Sequence, residues 1–277
     1  MDYKRLLTVQ DISCVGQCSL TVALPIISAC GIETCILPSA VLSTHTGGFT
    51  GFTFRDLTDD IPKIAAHWSK ENIKFDAIYT GYLGSIRQIE LVSGMFETLG
   101  KDGCVRIVDP AMADNGKLYY GFDEAFANEM TSLCAKADIV LPNITEACLM
   151  TGLGYRAEYD ESFISSLLSA LEANGMKNVV LTGVSYESST TGVIVKTGEK
   201  TEYYRHKRIP GGCHGTGDVF ASAFAGALLN GYSEYDSAVI AAEYTVLCIE
   251  KTLGDENHKY GVKFELAIPE LIRMLGK

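Results

Sequence analysis

Asp218, at the joint between a glycine-rich turn and an apolar helix, carries the strongest chemical signal in this chain. The turn reads Gly211-Gly212-Cys213-His214-Gly215-Thr216-Gly217, and Val219-Phe220-Ala221-Ser222-Ala223-Phe224-Ala225 follows the aspartate. Glycines let successive backbone N–H groups point into one cavity, and the helix dipole adds positive potential there. Such a cavity wants an anion, so a carboxylate at its lip reads as a base acting beside the anion rather than as its ligand. The same aspartate could also cap the helix, since Asp is favoured at N-caps. The two roles are physically compatible.

Short apolar runs alternating with amphipathic segments must position this turn. Strands are expected at Arg5–Val9, Thr34–Leu37, Ala77–Tyr79, Val105–Val108, Ile139–Leu141 and Val179–Leu181. Helical patterns lie between them at Leu20–Cys30, Ile61–Lys70, Ile86–Leu99, Glu124–Cys134, Glu146–Thr151 and Ser162–Ala173. Gly31 and Gly175 follow helices, Ser85, Thr145 and Asp160 stand as N-caps, and Pro25 argues for a late start or a kink in the first helix. After Leu181 an antiparallel pair is expected at Gly192–Val195 and Glu202–Arg208. Helices then follow from Asp218, over Glu234–Lys251 and over Pro269–Leu275. No linker, repeat or low-complexity segment interrupts residues 1–277, so one domain is expected. The alternation predicts an α/β fold with a mainly parallel central sheet and helices on both faces. Ligands of such sheets bind beyond the carboxyl ends of the strands. Gln10-Asp11, Gly81-Tyr82-Leu83-Gly84, Asp109-Pro110, Pro142-Asn143 and Thr182-Gly183 should therefore share one rim with Gly215–Asp218.

Composition narrows the partners. Among 277 residues, 47% are hydrophobic and 21% charged, as in a soluble globular protein with a sizeable core. The net charge of −11 argues against nucleic acid or an anionic membrane as the main partner, while leaving room for a locally positive phosphate cavity. Nine cysteines is an odd number, none pairs at CxxC spacing, and most sit in apolar surroundings, which suits free thiols in a reducing cytoplasm. His and Cys nowhere cluster with metal-ligand spacing. The N-terminus shows no signal-peptide pattern and no apolar run reaches membrane length, so a cytoplasmic protein is expected. The phosphate motifs GxxxxGK[ST] and GxGxxG after the first strand are both missing, and so is the GxSxG elbow of hydrolases.

Gly215-Thr216-Gly217-Asp218 opening an apolar helix resembles the GxGD signature of the ribokinase (PfkB-like) superfamily. Ser43-Thr44-His45-Thr46-Gly47, Gly81-Tyr82-Leu83-Gly84, Asp109-Pro110-Ala111-Met112 and Pro142-Asn143-Ile144-Thr145-Glu146 follow the order of its pyridoxal and pyridoxamine kinases. The match covers nearly the whole chain. It implies a ribokinase-like three-layer α/β/α fold, ATP-dependent phosphorylation of the 5′-hydroxymethyl group of a B6 vitamer, and a homodimer. By the same resemblance Asp218 is the base, and the N–H groups of Gly215, Thr216 and Gly217 hold charge developing on the transferred phosphoryl group. Asn143, Glu146 and the nearby Asp109 would bind Mg2+, which keeps waters and needs few carboxylates. A monovalent cation is a further candidate cofactor. Asn143 and Glu146 also serve ATP, with Thr182, Thr216 and, from a lid over Asn115–Gly121, Asp114 and Tyr119 or Tyr120. Thr46, Tyr82 and His45 match positions that contact the vitamer, although a lone His is more often structural.

Asp11 departs from the pattern, because many pyridoxal kinases have a serine there. A carboxylate facing the ring could accept from a phenol, a protonated ring nitrogen or the amine of pyridoxamine, and burying it favours a cationic ligand. The alternatives are a hydroxymethylpyrimidine kinase of the same superfamily and a non-catalytic vitamer- or nucleotide-binding protein. The usual glycine-rich opening of the former is replaced here by Asp11-Ile12-Ser13-Cys14-Val15-Gly16, and the intact Asp218, Asn143 and Glu146 argue against the latter.

Overall fold

The computed structural model describes residues 3–210, 214–255, 258 and 260–277. Gly211, Gly212 and Cys213 of the motif therefore lie outside the described residues. A nine-stranded sheet runs in the order β11-β10-β9-β8-β5-β4-β1-β2-β3. Its centre is parallel: β1 (Arg5–Val15) lies between β2 (Glu33–Thr44) and β4 (Phe75–Thr80), and β5 (Gly100–Val108), β8 (Ile139–Val140) and β9 (Asn178–Val184) follow outward. Antiparallel strands close both edges, with β3 (Phe54–Asp56) beside β2, and β10 (Thr190–Thr197) with β11 (Lys200–Lys207) beyond β9. Apolar runs such as Leu6-Leu7 and Ala77-Ile78-Tyr79 are fully buried, as strands covered on both faces must be.

One face packs on α2 (Ile61–Lys70), α3 (Ile86–Thr98), α4 (Glu124–Cys134), α5 (Ile144–Thr151) and α6 (Glu161–Ala173) through a core that includes Ile89, Phe126 and Leu167. The other packs on α1 (Leu20–Ala29), α7 (Thr216–Leu229), α8 (Glu234–Thr252) and α9 (Ile268–Met274) through Ile26, Phe224 and Tyr244. This is the three-layer α/β/α ribokinase-like architecture. Ser85, Asp123 and Asp160 accept N–H bonds at the starts of α3, α4 and α6. No helix among the described residues is long and apolar enough to cross a membrane. The eight described cysteines are free, with Cys30, Cys134, Cys148 and Cys248 buried.

Several expected boundaries move. The helix α1 starts at Leu20 and continues past Pro25, because Val22, Ala23, Ile26 and Ile27 bury one face and outweigh one lost helical hydrogen bond. Thr145 is not a cap: Asn143 holds the extended backbone and accepts the Glu146 N–H, which leaves Thr145 inside the first turn. Likewise Gly215, not Asp218, caps α7, since only the left-handed backbone at Gly215 (φ 75°) turns the chain into the helix. Asp218 sits three residues on, within the first turn.

Strands β1 and β2 run six and seven residues beyond the expected ends at Val9 and Leu37, to Val15 and Thr44. A bulge hides the periodicity there. Gln10 lies opposite Pro38 but Ile12 lies opposite Val41, so Ser39 and Ala40 together face Asp11. The Asn115–Gly121 segment, expected as irregular, opens with a hairpin in which Ala113 pairs with Leu118 and Asp114 with Lys117, β6 (Ala113–Asp114) with β7 (Lys117–Leu118). Asn115 and Gly116 both have positive φ (50° and 76°), as a two-residue Asn-Gly hairpin turn requires.

Candidate active site

A cavity of about 760 Å3 opens beyond the carboxyl ends of the parallel strands. The chain leaves β1 toward β2 on one side and returns to β4 on the other, and this reversal of strand order opens the crevice. Every candidate site residue read from the sequence lines this cavity: Asp11, His45, Thr46 and Tyr82 at one end, Asp109, Asp114, Asn143, Glu146 and Thr182 at the other, and Gly215–Asp218 between.

Two features of α7 make its N-terminus a cradle. A Cβ at residue 215 would strike the Gln17 carbonyl, so the close approach of β1's outgoing loop requires glycine there as firmly as the positive φ does. A Cβ at Gly217 would meet no protein atom and would take up cavity space instead. First-turn N–H groups point out of the helix end into this cavity, a disposition suited to an anion. Burial raises the Asp218 carboxyl from 3.8 to about 7; the Ser19 N–H opposes the rise and the Asp11 carboxylate adds to it. A carboxyl poised near neutrality suits general base chemistry.

At the second end, Asn143 and Glu146 form a capping box whose side chains are heavily engaged. Glu146 Oε1 accepts from Met112 N–H (2.9 Å) and Ala113 N–H (3.4 Å), while Oε2 accepts from Asn143 N–H (2.9 Å). Asn143 Oδ1 accepts from Glu146 N–H (3.0 Å) and its Nδ2 donates to the Ala113 carbonyl (2.8 Å). The Gly116 N–H donates to Thr145 Oγ1 (3.0 Å), so α5 holds the hairpin in place. Burial raises Glu146 to about 7 despite its three N–H donors, and pushes Asp109 well up with the Glu146 and Asp218 charges adding to it. Asp109 Oδ1 accepts the Ala111 N–H at 3.1 Å. Thr182 is interior to β9 rather than at its end, and its hydroxyl donates to the Pro142 carbonyl (3.3 Å).

At the first end, the bulge turns Asp11 into the cavity, where it is 4% exposed and accepts from Ser13 Oγ (2.8 Å) and from the Ser19 side chain. Burial raises its carboxyl. Tyr82 stands beside it, its hydroxyl pushed up to about 12 by burial and then by the Asp11 charge. His45 is used by the scaffold: Nε2 bonds the Tyr260 carbonyl (2.9 Å) and Nδ1 accepts the Gly47 N–H (3.1 Å), which leaves no ring nitrogen for a ligand. Thr46 is exposed at the mouth.

Sequence reading missed two parts of the lining. Ala242, Thr245, Val246 and Ile249 of α8 form a stripe at helical spacing that reads as core, yet it lines the cavity beside residues of β10 and α7 as an apolar shelf. Ser19, the residue before α1, touches both Asp11 and Asp218 with a backbone at φ 52°, and a serine in a loop gave no signal of that.

The described lining carries five carboxylates (Asp11, Asp109, Asp114, Glu146 and Asp218) and neither Lys nor Arg. Anionic phosphates could share this space only with added cations. Among the described residues no three His, Cys, Asp or Glu side chains converge as a protein metal cage would need. Mg2+ fits such a sparse set, being held by one or two carboxylates, waters and phosphate oxygens.

Comparison with known proteins agrees with this geometry. A family model for phosphomethylpyrimidine kinase matches residues 24–263. The chain belongs to that family. This kinase is 25% identical to a pyridoxine/pyridoxal/pyridoxamine kinase of Bordetella avium, over 89% of its own length and 85% of the relative's. It is 27% identical to the hydroxymethylpyrimidine/phosphomethylpyrimidine kinase of Bacillus subtilis, over 78% of each. Among solved structures it resembles a Bacteroides thetaiotaomicron protein assigned to the phosphomethylpyrimidine kinases and crystallised with pyridoxal, with TM-score 0.91 and 37% identity over 98% and 96% of the two chains. The pyridoxal kinase of Lactobacillus plantarum superposes with TM-score 0.90 at 30% identity over 98% and 97%. The kinase is thus a pyridoxal kinase-like member of the ribokinase-like superfamily.

Proposed function

We propose that this kinase transfers the γ-phosphoryl group of ATP to the 5′-hydroxymethyl group of a B6 vitamer, working as one catalytic domain over residues 1–277. The observation that carries the reading is pyridoxal in the Bacteroides relative, 37% identical across 98% of this chain. In the reaction the vitamer's hydroxyl oxygen attacks the γ-phosphorus, the bond to the β,γ-bridging oxygen breaks, ADP leaves, and the hydroxyl proton passes to Asp218. Phosphoryl transfer demands little activation of the nucleophile, so Asp218 orients the hydroxyl and accepts its proton late. The N–H groups of Gly215, Thr216 and Gly217 stabilise charge on the transferred group. Asp109 and Glu146 would hold Mg2+, with Glu146 acting through water because its oxygens already accept three N–H bonds, and Asn143 fixes the helix that carries Glu146. That ion would supply positive charge to a lining whose described residues hold neither Lys nor Arg. Asp114 and Tyr119 flank the nucleotide, Thr182 its phosphates, and the α8 shelf takes its base.

Tyr82 offers the vitamer an aromatic face, and Asp11 a carboxylate with neither Lys nor Arg in the described lining to offset it. A ligand carrying an amine or a protonated ring nitrogen supplies that offset, and this favours pyridoxamine among the vitamers. The second reading, a hydroxymethylpyrimidine kinase, is favoured by the family model and by the Bacillus relative. A coupled assay of ADP release with ATP and Mg2+ against pyridoxal, pyridoxamine, pyridoxine and hydroxymethylpyrimidine separates the two readings. Turnover confined to hydroxymethylpyrimidine overturns the B6 reading. For Asp11→Ser, kcat/KM for pyridoxamine should fall relative to pyridoxal, and an unchanged ranking removes Asp11 from specificity.

A further inference from the structure

Phe122 lies between the hairpin and α4, outside the cavity lining described above. Its ring stacks on Tyr82, with centroids 5.5 Å apart and planes at 30°, and on Phe126 of α4, at 3.8 Å and 4°. Phe126 is buried in the core, so the ladder rests Tyr82 on a fixed base. A continuous set of hydrogen bonds ties the same segment to the opposite end of the cavity. Glu146 Oε1 accepts from Met112 N–H, the Met112 carbonyl accepts from Tyr119 N–H (2.8 Å), and the Tyr119 carbonyl accepts from Phe122 N–H (3.2 Å). Asn143 and Thr145 clamp the intervening hairpin at the Ala113 carbonyl and the Gly116 N–H. Asp114 and Tyr119, carried by this segment, face the cavity at that end, whereas Tyr82 faces it at the other.

We propose that Phe122 is a positioning residue through which the nucleotide and the vitamer reinforce each other's binding. The inference rests on the functional reading above. A nucleotide that draws on Asp114 and Tyr119 fixes the hairpin, and with it the ring against which Tyr82 is held. A ligand stacked on Tyr82 fixes that ring from the other side. Because the coupling is thermodynamic, each ligand must raise the affinity for the other by the same factor. An aromatic pair of this kind is worth roughly threefold to tenfold in a binding ratio.

Calorimetric titration of pyridoxal with and without saturating ADP and Mg2+ tests the idea. Native protein should bind pyridoxal roughly threefold to tenfold more tightly in the presence of the nucleotide. In Phe122→Leu, which keeps apolar volume beside Phe126 but removes the stack, that ratio should fall to about one while the affinity for ADP alone holds within about twofold. Phe122→Ala should behave alike, and the native-like melting of Phe122→Leu guards against a folding defect. A ratio retained in Phe122→Leu, or absent from native protein, overturns this inference and leaves the functional reading standing. Native protein that binds ADP but no vitamer overturns the functional reading, and this inference with it.

Discussion

Replacing Asp218 by Asn should abolish turnover and, at the same time, stabilise the unliganded protein above neutrality. Burial raises the carboxyl from 3.8 to about 7. The folded protein therefore holds this proton more tightly than the unfolded chain does. By linkage, stability falls as pH rises through the window between those two values, and the loss is complete above about pH 7. A rise of about three pH units corresponds to roughly 4 kcal/mol at about 1.4 kcal/mol each. Asn keeps a neutral acceptor for the Ser19 N–H, and the value of about 7 already includes that bond's preference for the charged form, so the figure stands. Asp218→Asn should thus gain roughly 4 kcal/mol at pH 8 and little near pH 4, where native Asp218 is itself protonated. Urea denaturation of both proteins from pH 4 to 8, without nucleotide, measures the difference directly. A gain independent of pH, or none at pH 8, would refute the claim that Asp218 is strained by burial. Native-level turnover in the variant would refute its role as base.

Two further outcomes probe the scaffold and the nucleotide end. Gly215→Ala places a methyl against the Gln17 carbonyl at a backbone that L-residues avoid (φ 75°), and should cost roughly 3 kcal/mol in denaturant unfolding and most of the turnover. A loss below about 1 kcal/mol would show that the turn adapts. Ala242→Leu fills the shelf between α8 and α7, and should raise the KM for ATP by about tenfold or more with the pyridoxal affinity unchanged; equal effects on both ligands would move the nucleotide base elsewhere.

What the sequence made legible follows from local physics. The central strands, the helices and the rim residues were readable because apolar period, caps and strand ends are encoded within a few residues of each other. Asp218 stood out because glycine, aspartate and an apolar helix are adjacent. Asp11 could be placed at a strand end, but its entry into the cavity depends on Ser39 and Ala40 bulging from a different strand, which no local pattern reports. The hairpin at Asn115-Gly116 was encoded and overlooked, since its two-residue strands are too short to show alternation. The α8 stripe was the reverse case, a strong helical pattern whose meaning changes once tertiary packing leaves one side open.

The charge pattern of the cavity gives the site its logic. Five carboxylates in a lining whose described residues hold neither Lys nor Arg would repel a bare triphosphate, and burial already pushes Asp11, Asp109, Glu146 and Asp218 toward their protonated forms. Each of these groups returns to its charged form most readily when a cation arrives with the ligand. On the proposed function, a divalent ion on the nucleotide would do this for Asp109 and Glu146, and a cationic ring or amine would do it for Asp11. Asp218 is crowded from both ends, because the Asp11 charge raises it and its charge and that of Asp109 repel each other. On the proposed function, neutralising Asp11 with a cationic vitamer would lower the pKa of Asp218 beside the hydroxyl it orients, so the substrate would help to ionise the group that accepts its proton.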